Sequence, residues 1–207
     1  MGDEIFTVVE DQEGKLWSIK NDSIIVAKNS NGTMTFSTKV IFNPNDNVRI
    51  MEVFEDLSNN LWFFTNNGIY KLANENEEFS NILRLNQYID KKYISSFRGM
   101  LEDRDGNMFF GGYGGLFKQD KRGRIIRLFD QDPPYTPYVL IEKNSEELYA
   151  LCEGFGIQVV NKNTGEAKQA GKNYKEYKNY KGLYLVGGIL ANDGDFWLSS
   201  YDYILRF

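Results

Sequence analysis

The sequence predicts an all-β chain assembled from repeated antiparallel sheets. Three observations carry that prediction. An acidic, turn-forming segment followed by an aromatic strand recurs five times in 207 residues. The copies are spaced as one small four-stranded sheet would be. Helical periodicity is nearly absent, while glycine, asparagine and aromatic residues are frequent.

The longest copy is EDLSNNLWFFTNNGIY at residues 55–70. Its acidic turn leads into Leu61-Trp62-Phe63-Phe64-Thr65, an aromatic and β-branched run suited to a strand that packs on both faces. Asn66-Asn67-Gly68 then offers residues that tolerate positive φ in a tight hairpin. The other copies are EDQEGKLWSI (10–19), EDRDGNMFFG (102–111), EKNSEELYAL (142–151) and LANDGDFWLS (190–199). Their aromatics are Trp17, Trp62, Phe109, Tyr149 and Trp197, separated by 45, 47, 40 and 48 residues. A period near 45 residues is that of a β-propeller blade. One such sheet cannot cover its own faces, so stacking neighbours buries them. The repeated aromatics are therefore expected to fill the space between adjacent blades. Asp11, Asp56 and Asp103 are expected to bond nearby backbone, with Gly14, Gly106 and Gly194 at positive φ.

In this pattern, E-D-x-x-G-x-L-W followed by N-G or G-G and an apolar pair, the chain resembles the two-component regulator propeller repeat. The matching segments are 10–19, 55–70 and 102–117. The fourth copy departs from the pattern at Lys143 and Glu146, and the fifth has Ala191 where aspartate is expected. The resemblance implies the periplasmic sensor of a hybrid two-component histidine kinase of gut Bacteroidetes, responding to glycan breakdown products. It implies no catalysis in this segment, and signalling through altered packing of two propeller-bearing chains.

Taken in order, the first blade is expected at about residues 3–42, with strands over 4–10, 15–20, 24–28 and 33–38. The second spans about 43–85, with strands over 48–55, 61–65, 69–73 and 79–83. The third spans about 86–130, with strands over 96–102, 108–111, 116–119 and 125–129. The fourth, about 131–171, has strands over 138–142, 148–152, 157–161 and 167–169. The fifth, about 172–207, has strands over 183–190, 196–199 and 203–207 and lacks a fourth. Two accounts fit that incomplete blade: a piece of a longer propeller, which is preferred, or a five-bladed ring. Either leaves the edge at 203–207 open to another chain, so self-association or further blades are expected as partners.

Composition narrows the function. A 42% hydrophobic and 15% aromatic chain is globular. The net charge of −5, with both signs interspersed, gives no footprint for nucleic acid. No apolar run is long enough for a membrane helix, and the first residues, MGDEIFTVV, lack the features of a secretory signal. With no histidine, His-dependent triads and His-ligated metals are excluded. Cys152 is the only cysteine and reads as an inert buried thiol. No cofactor is implied.

Candidate motifs mostly resolve into turns. GGYGG at 111–115 leads into a strand, not a helix, so it is a hairpin and not a phosphate loop. The DRDGN run at 103–107 has its glycine misplaced for an EF-hand, and Gly114 stands where the closing glutamate belongs. Ligand recognition is expected on loops between blades and on the turns between second and third strands. In AGKNYKEYKNYKG, the spacing of Tyr174, Tyr177, Tyr180 and Tyr184 is consistent with one or two helical turns. These rings either pack the loop down or, with Tyr113, Tyr135, Tyr138 and Tyr201, form stacking platforms for an oligosaccharide. Glu153 and Asp202 lie in equivalent turns and could accept sugar hydroxyl protons. The alternative class is a structural or protein-interaction propeller without a small ligand. A lyase or hydrolase is disfavoured, since no acid pair is left unexplained.

Overall fold

The computed structural model describes residues 8–20, 23–39, 42, 48–73, 79–83, 97, 99–112, 115–128, 136–153, 155–170, 185–200 and 203–206. Among these residues there are nineteen strands and no helix, and every strand pairing is antiparallel. The chain divides into two compact units, Met1–Ser96 and Phe97–Phe207.

The first unit holds two four-stranded sheets, each a simple meander. Sheet 1 is β1 (Val8–Glu10), β2 (Lys15–Lys20), β3 (Ser23–Ser30) and β4 (Thr33–Lys39). Sheet 2 is β5 (Ile50–Glu55), β6 (Leu61–Thr65), β7 (Ile69–Leu72) and β8 (Phe79–Leu83). The second unit begins with sheet 3, made of β9 (Gly99–Glu102), β10 (Met108–Gly112), β11 (Gly115–Gln119) and β12 (Ile125–Arg127). Sheet 4 is β13 (Pro137–Glu142), β14 (Glu147–Cys152), β15 (Gly156–Asn161) and β16 (Ala167–Gln169). Sheet 5 has three strands among the described residues: β17 (Leu185–Leu190), β18 (Phe196–Ser200) and β19 (Ile204–Arg206).

Each expected strand within the described residues is found within a few residues of its predicted place. The GGYGG run forms the predicted hairpin, with Gly112 opposite Gly115. All five residues of β6 are buried, as a strand packed on both faces requires.

The repeated turns show why the acidic residue is needed. Asp11 Oδ1 accepts the amides of Glu13 and Lys15 at 3.0 and 2.8 Å. Its Oδ2 accepts the indole N–H of Trp17 at 2.7 Å. Asp56 repeats the arrangement with Ser58, Asn60 and the Trp62 indole at 2.8 Å. Gly14 and Gly106 take φ of 74° and 73°, a region costly for most side chains. In sheet 2 the positive φ sits at Asn59 (63°), one turn earlier than expected, and not in the turn at 66–68. That later turn is closed instead by the Thr65 hydroxyl, which accepts the amides of Asn67 and Gly68. The two degraded copies use other acceptors. Asn144 Oδ1 takes the amides of Glu146 and Glu147, and Asp193 Oδ1 takes that of Asp195.

Within each unit the sheets pack in one sense. Trp17, Ile19, Ile24 and Val26 of sheet 1 meet Ile50, Val53, Leu61 and Phe63 of sheet 2. Phe109 and Leu116 of sheet 3 meet Leu140, Leu148, Ala150 and Val160 of sheet 4. Leu151, Ile157 and Val159 of sheet 4 meet Phe196 and Leu198 of sheet 5, with the Tyr149 ring edge-on to Phe196 at 4.8 Å. Trp17, Phe109 and Tyr149 thus point toward the following sheet, and the strand neighbours of Trp62, Tyr149 and Trp197 point toward the preceding one. Trp197 departs from the expectation of a buried filler. It is 40% exposed, with the Arg206 guanidinium 5.4 Å from the ring centre.

Candidate functional site

The turn-forming acids are structural. Both oxygens of Asp11, Asp56 and Asp103 accept hydrogen bonds inside the protein, which leaves them poorly suited to a ligand or a metal. In sheet 3 the aromatic is Phe109, which has no N–H to offer. There Asp103 Oδ2 instead takes the ammonium of Lys162 at 3.2 Å and the Asn107 side-chain amide at 3.1 Å. Lys162 is 1% exposed and also pairs with Glu142 at 2.6 Å. Burial pushes the Asp103 and Glu142 carboxyls up, but their hydrogen bonds outweigh it and hold both below the usual carboxylate range. The bonds come from Asn107 and Lys162 on Asp103, and from Lys162 and Arg104 on Glu142. The cluster joins sheets 3 and 4, with the side chains of Asp103 and Lys162 buried.

In two copies the first acid also has a role that sequence reading missed. Glu55 Oε1 accepts the amide of Gln12 at 3.3 Å, and Glu142 Oε1 that of Arg104 at 3.4 Å. In both cases a glutamate ending the first strand of one sheet reaches the turn of the sheet before it. Only the packing of consecutive sheets makes this visible.

The opposite end of the sheets carries the candidate ligand groups. The turn joining β14 to β15 is pinned by the Glu153 amide on the Thr136 carbonyl at 3.0 Å and the Gln158 side chain on the Phe155 carbonyl at 2.9 Å. It leaves Glu153 half-buried and the Phe155 ring 40% exposed. The turn thus carries one carboxylate and one accessible ring, two residues apart in the sequence. Phe155 was not among the expected site residues. Its place between Gly154 and Gly156, outside any strand, is the signal that marks it. Tyr138, expected as a stacking ring, is only 9% exposed in β13. Tyr113, Tyr135, Tyr174, Tyr177, Tyr180, Tyr184, Tyr201 and Asp202 lie outside the described residues, as does the expected helical turn near 174–184.

Open depressions also lie elsewhere among the described residues. One, of about 280 Å3 on sheet 1, is lined by Lys15, Trp17, Val26, Lys28, Thr35, Phe36 and Ser37. The other, of about 410 Å3, lies between the turns at 103–107 and 120–124. Its lining is Asn107, Asp120, Lys121, Arg122 and Arg124, with no ring to stack a sugar. The backbone amide of Arg124 leads the interactions that hold Asp120 low, so that acid too is committed to its turn. Burial pushes the Cys152 thiol far up, consistent with an inert cysteine.

No protein-family model and no curated protein matches the chain. Solved structures of propeller-like fold do. The extracellular domain of a putative hybrid two-component system of B. thetaiotaomicron aligns with 100% of this chain at 15% identity and a TM-score of 0.71. A second such domain from the same organism aligns with 100% at 16% identity and 0.70. This chain spans only 29% and 30% of those two structures. Virginiamycin B lyase of Staphylococcus aureus aligns over 99% of this chain and 70% of its own, at 16% identity and 0.68. At such identities the likeness speaks to the fold, which enzymes and sensor domains share. The presence of extracellular domains of Bacteroides two-component systems among these structures accords with the resemblance of residues 10–19, 55–70 and 102–117 to the two-component regulator propeller repeat.

Proposed function

We propose that this chain is a non-catalytic recognition segment of an extracytoplasmic, periplasmic sensor propeller that binds glycan-derived oligosaccharides. The kinase output would then reside in segments outside these 207 residues. The observation that carries the reading is the likeness of the whole of this chain to part of the extracellular domains of two-component systems, on a chain whose turns resemble that family's repeat. The five sheets would be its blades, at about 3–42, 43–85, 86–130, 131–171 and 172–207. The lyase reading is weaker, because the regular acids are held in turns and the chain has no histidine.

Calorimetric titration with a panel of oligosaccharides tests the proposal. Binding of at least one is expected, weakened about tenfold or more by Phe155→Ala and by Glu153→Gln, a loss of about 1.4 kcal/mol. Silent titrations across neutral and acidic glycans would overturn it, as would turnover of the sugar.

A further inference from the structure

The turn between the third and fourth strands of sheet 3 carries charge that its folding does not require. Asp120 closes that turn. Its Oδ1 accepts the amides of Arg122 and Arg124 at 3.0 and 2.9 Å, and its carbonyl accepts that of Gly123 at 2.8 Å. Gly123 supplies the positive φ, 79°. The side chains at 121 and 122 have no part in this arrangement, and both are exposed cations. The Arg124 guanidinium is held by Asp120 Oδ2, 3.1 Å from its Nε. Lys121 and Arg122 have no acidic partner among the described residues. The matching turns of two other sheets differ. Asn31 and Gly32 of sheet 1 are uncharged, and Lys162 of sheet 4 is buried against Asp103 and Glu142.

Lys121, Arg122 and Arg124 line the depression of about 410 Å3 beside the turn at 103–107, with Asp120 as the single opposing charge. The lysine stem is seated there. Its Cε lies 3.4 Å from the point where a Cβ on Gly106 would stand, so the chain of Lys121 spans from one turn to the other. A planar guanidinium with paired N–H donors, next to a compact ammonium, is the donor set that an oxyanion takes. The geometry points to this depression as a binding site for the oxyanion of a small acidic ligand: a sulfate, carboxylate or phosphate group. Arg122 donates to its oxygens, Lys121 adds a second charge, and Arg124, fixed by Asp120, forms the wall. Two cations without acidic partners match one such group, whereas nucleic acid requires a track of them. The site lies at the end of the sheets opposite Glu153 and Phe155, so it stands or falls apart from the sugar reading.

Amide NMR of the full chain, titrated with sodium sulfate at an ionic strength held constant with sodium chloride, reads the site at Gly106 and Gly123. Both signals are expected to shift and to saturate in the millimolar range. Lys121→Met, which keeps the stem over Gly106, and Arg122→Gln are each expected to weaken sulfate about three- to fivefold. The two combined should weaken it about tenfold or more. Unchanged amide signals elsewhere in each variant verify its fold. Lys28→Gln, which removes an exposed cation from sheet 1, should leave the affinity as it is. Glucose sulfate and glucose, titrated in parallel, separate the sources of the anion. Tighter binding of glucose sulfate than of sulfate assigns a charged sugar, and equal or weaker binding assigns the free anion. Shifts at Gly106 and Gly123 that never saturate overturn the proposal. So does a loss in Lys28→Gln as large as in Arg122→Gln, which would mean diffuse attraction. An equal response to plain glucose overturns it as well.

Discussion

At the scale of single residues, the recurring aspartate works as a three-point acceptor. Two backbone amides close the turn, and the third bond fixes the aromatic that fills the space beneath the next sheet. The bond from Trp62 to Asp56 is buried. Trp62→Phe should therefore cost about 1 kcal/mol, plus lost packing, read as a lower urea midpoint with unchanged slope. Phe109 shows the same loss met differently, with the Lys162 ammonium taking the oxygen that an indole would occupy. Lys162→Met removes that cation from two carboxylates and should destabilise the fold by about 3 kcal/mol at neutral pH. The pH dependence has a definite sign. The Asp103 and Glu142 carboxyls are depressed in the folded state, so their stabilisation is complete above their ordinary values of 3.8 and 4.5. It is lost as pH falls through the lower folded values. The gap between wild type and Lys162→Met should accordingly narrow on acidification below about pH 4, in urea titrations run side by side.

At the scale of elements, the strands were legible because each is bracketed by turn chemistry of fixed residue type. Residues 61–65 and 79–83 were bounded correctly from Asn, Gly and acidic punctuation alone. What punctuation could not reveal is how closely neighbouring sheets approach. Gly111 lies in β10 against the backbone of Pro137 in β13, where an added Cβ would overlap the Pro137 carbonyl oxygen. Gly111→Ala should then force sheets 3 and 4 apart at a cost of about 1–3 kcal/mol, measurable as a fall in thermal midpoint. Gly14→Ala meets no such neighbour and should cost only the strain of its positive φ, about 1 kcal/mol. The difference between these two glycines is invisible in the sequence, since both stand within a copy of the repeat.

At the scale of the whole molecule, Cys152 reports on cooperativity. It lies fully buried among residues of sheets 3 and 4, and its thiol is held protonated by burial. A thiol reagent should label the native chain only through opening of those sheets. The denaturant midpoint for labelling should then coincide with that of the circular dichroism change. Labelling that runs ahead of it would mean that sheets 3 to 5 open on their own. Of the candidate site, Glu153 was legible as an acid in a turn without a structural task. Phe155 was missed because nothing in the sequence separates an exposed ring from a core one, and exposure is a property of packing.

The order of residues alone determined that the chain is all-β, where its strands begin and end, and which acids close turns. Those features depend on local backbone preference and on the period of the aromatics. Tertiary structure alone decided which face each aromatic serves and that Glu55 and Glu142 reach the preceding sheet. It also put a lysine in place of an absent indole and left Trp197 uncovered. Each of these depends on groups brought together from distant points of the chain, and no local pattern encodes what will lie across an interface.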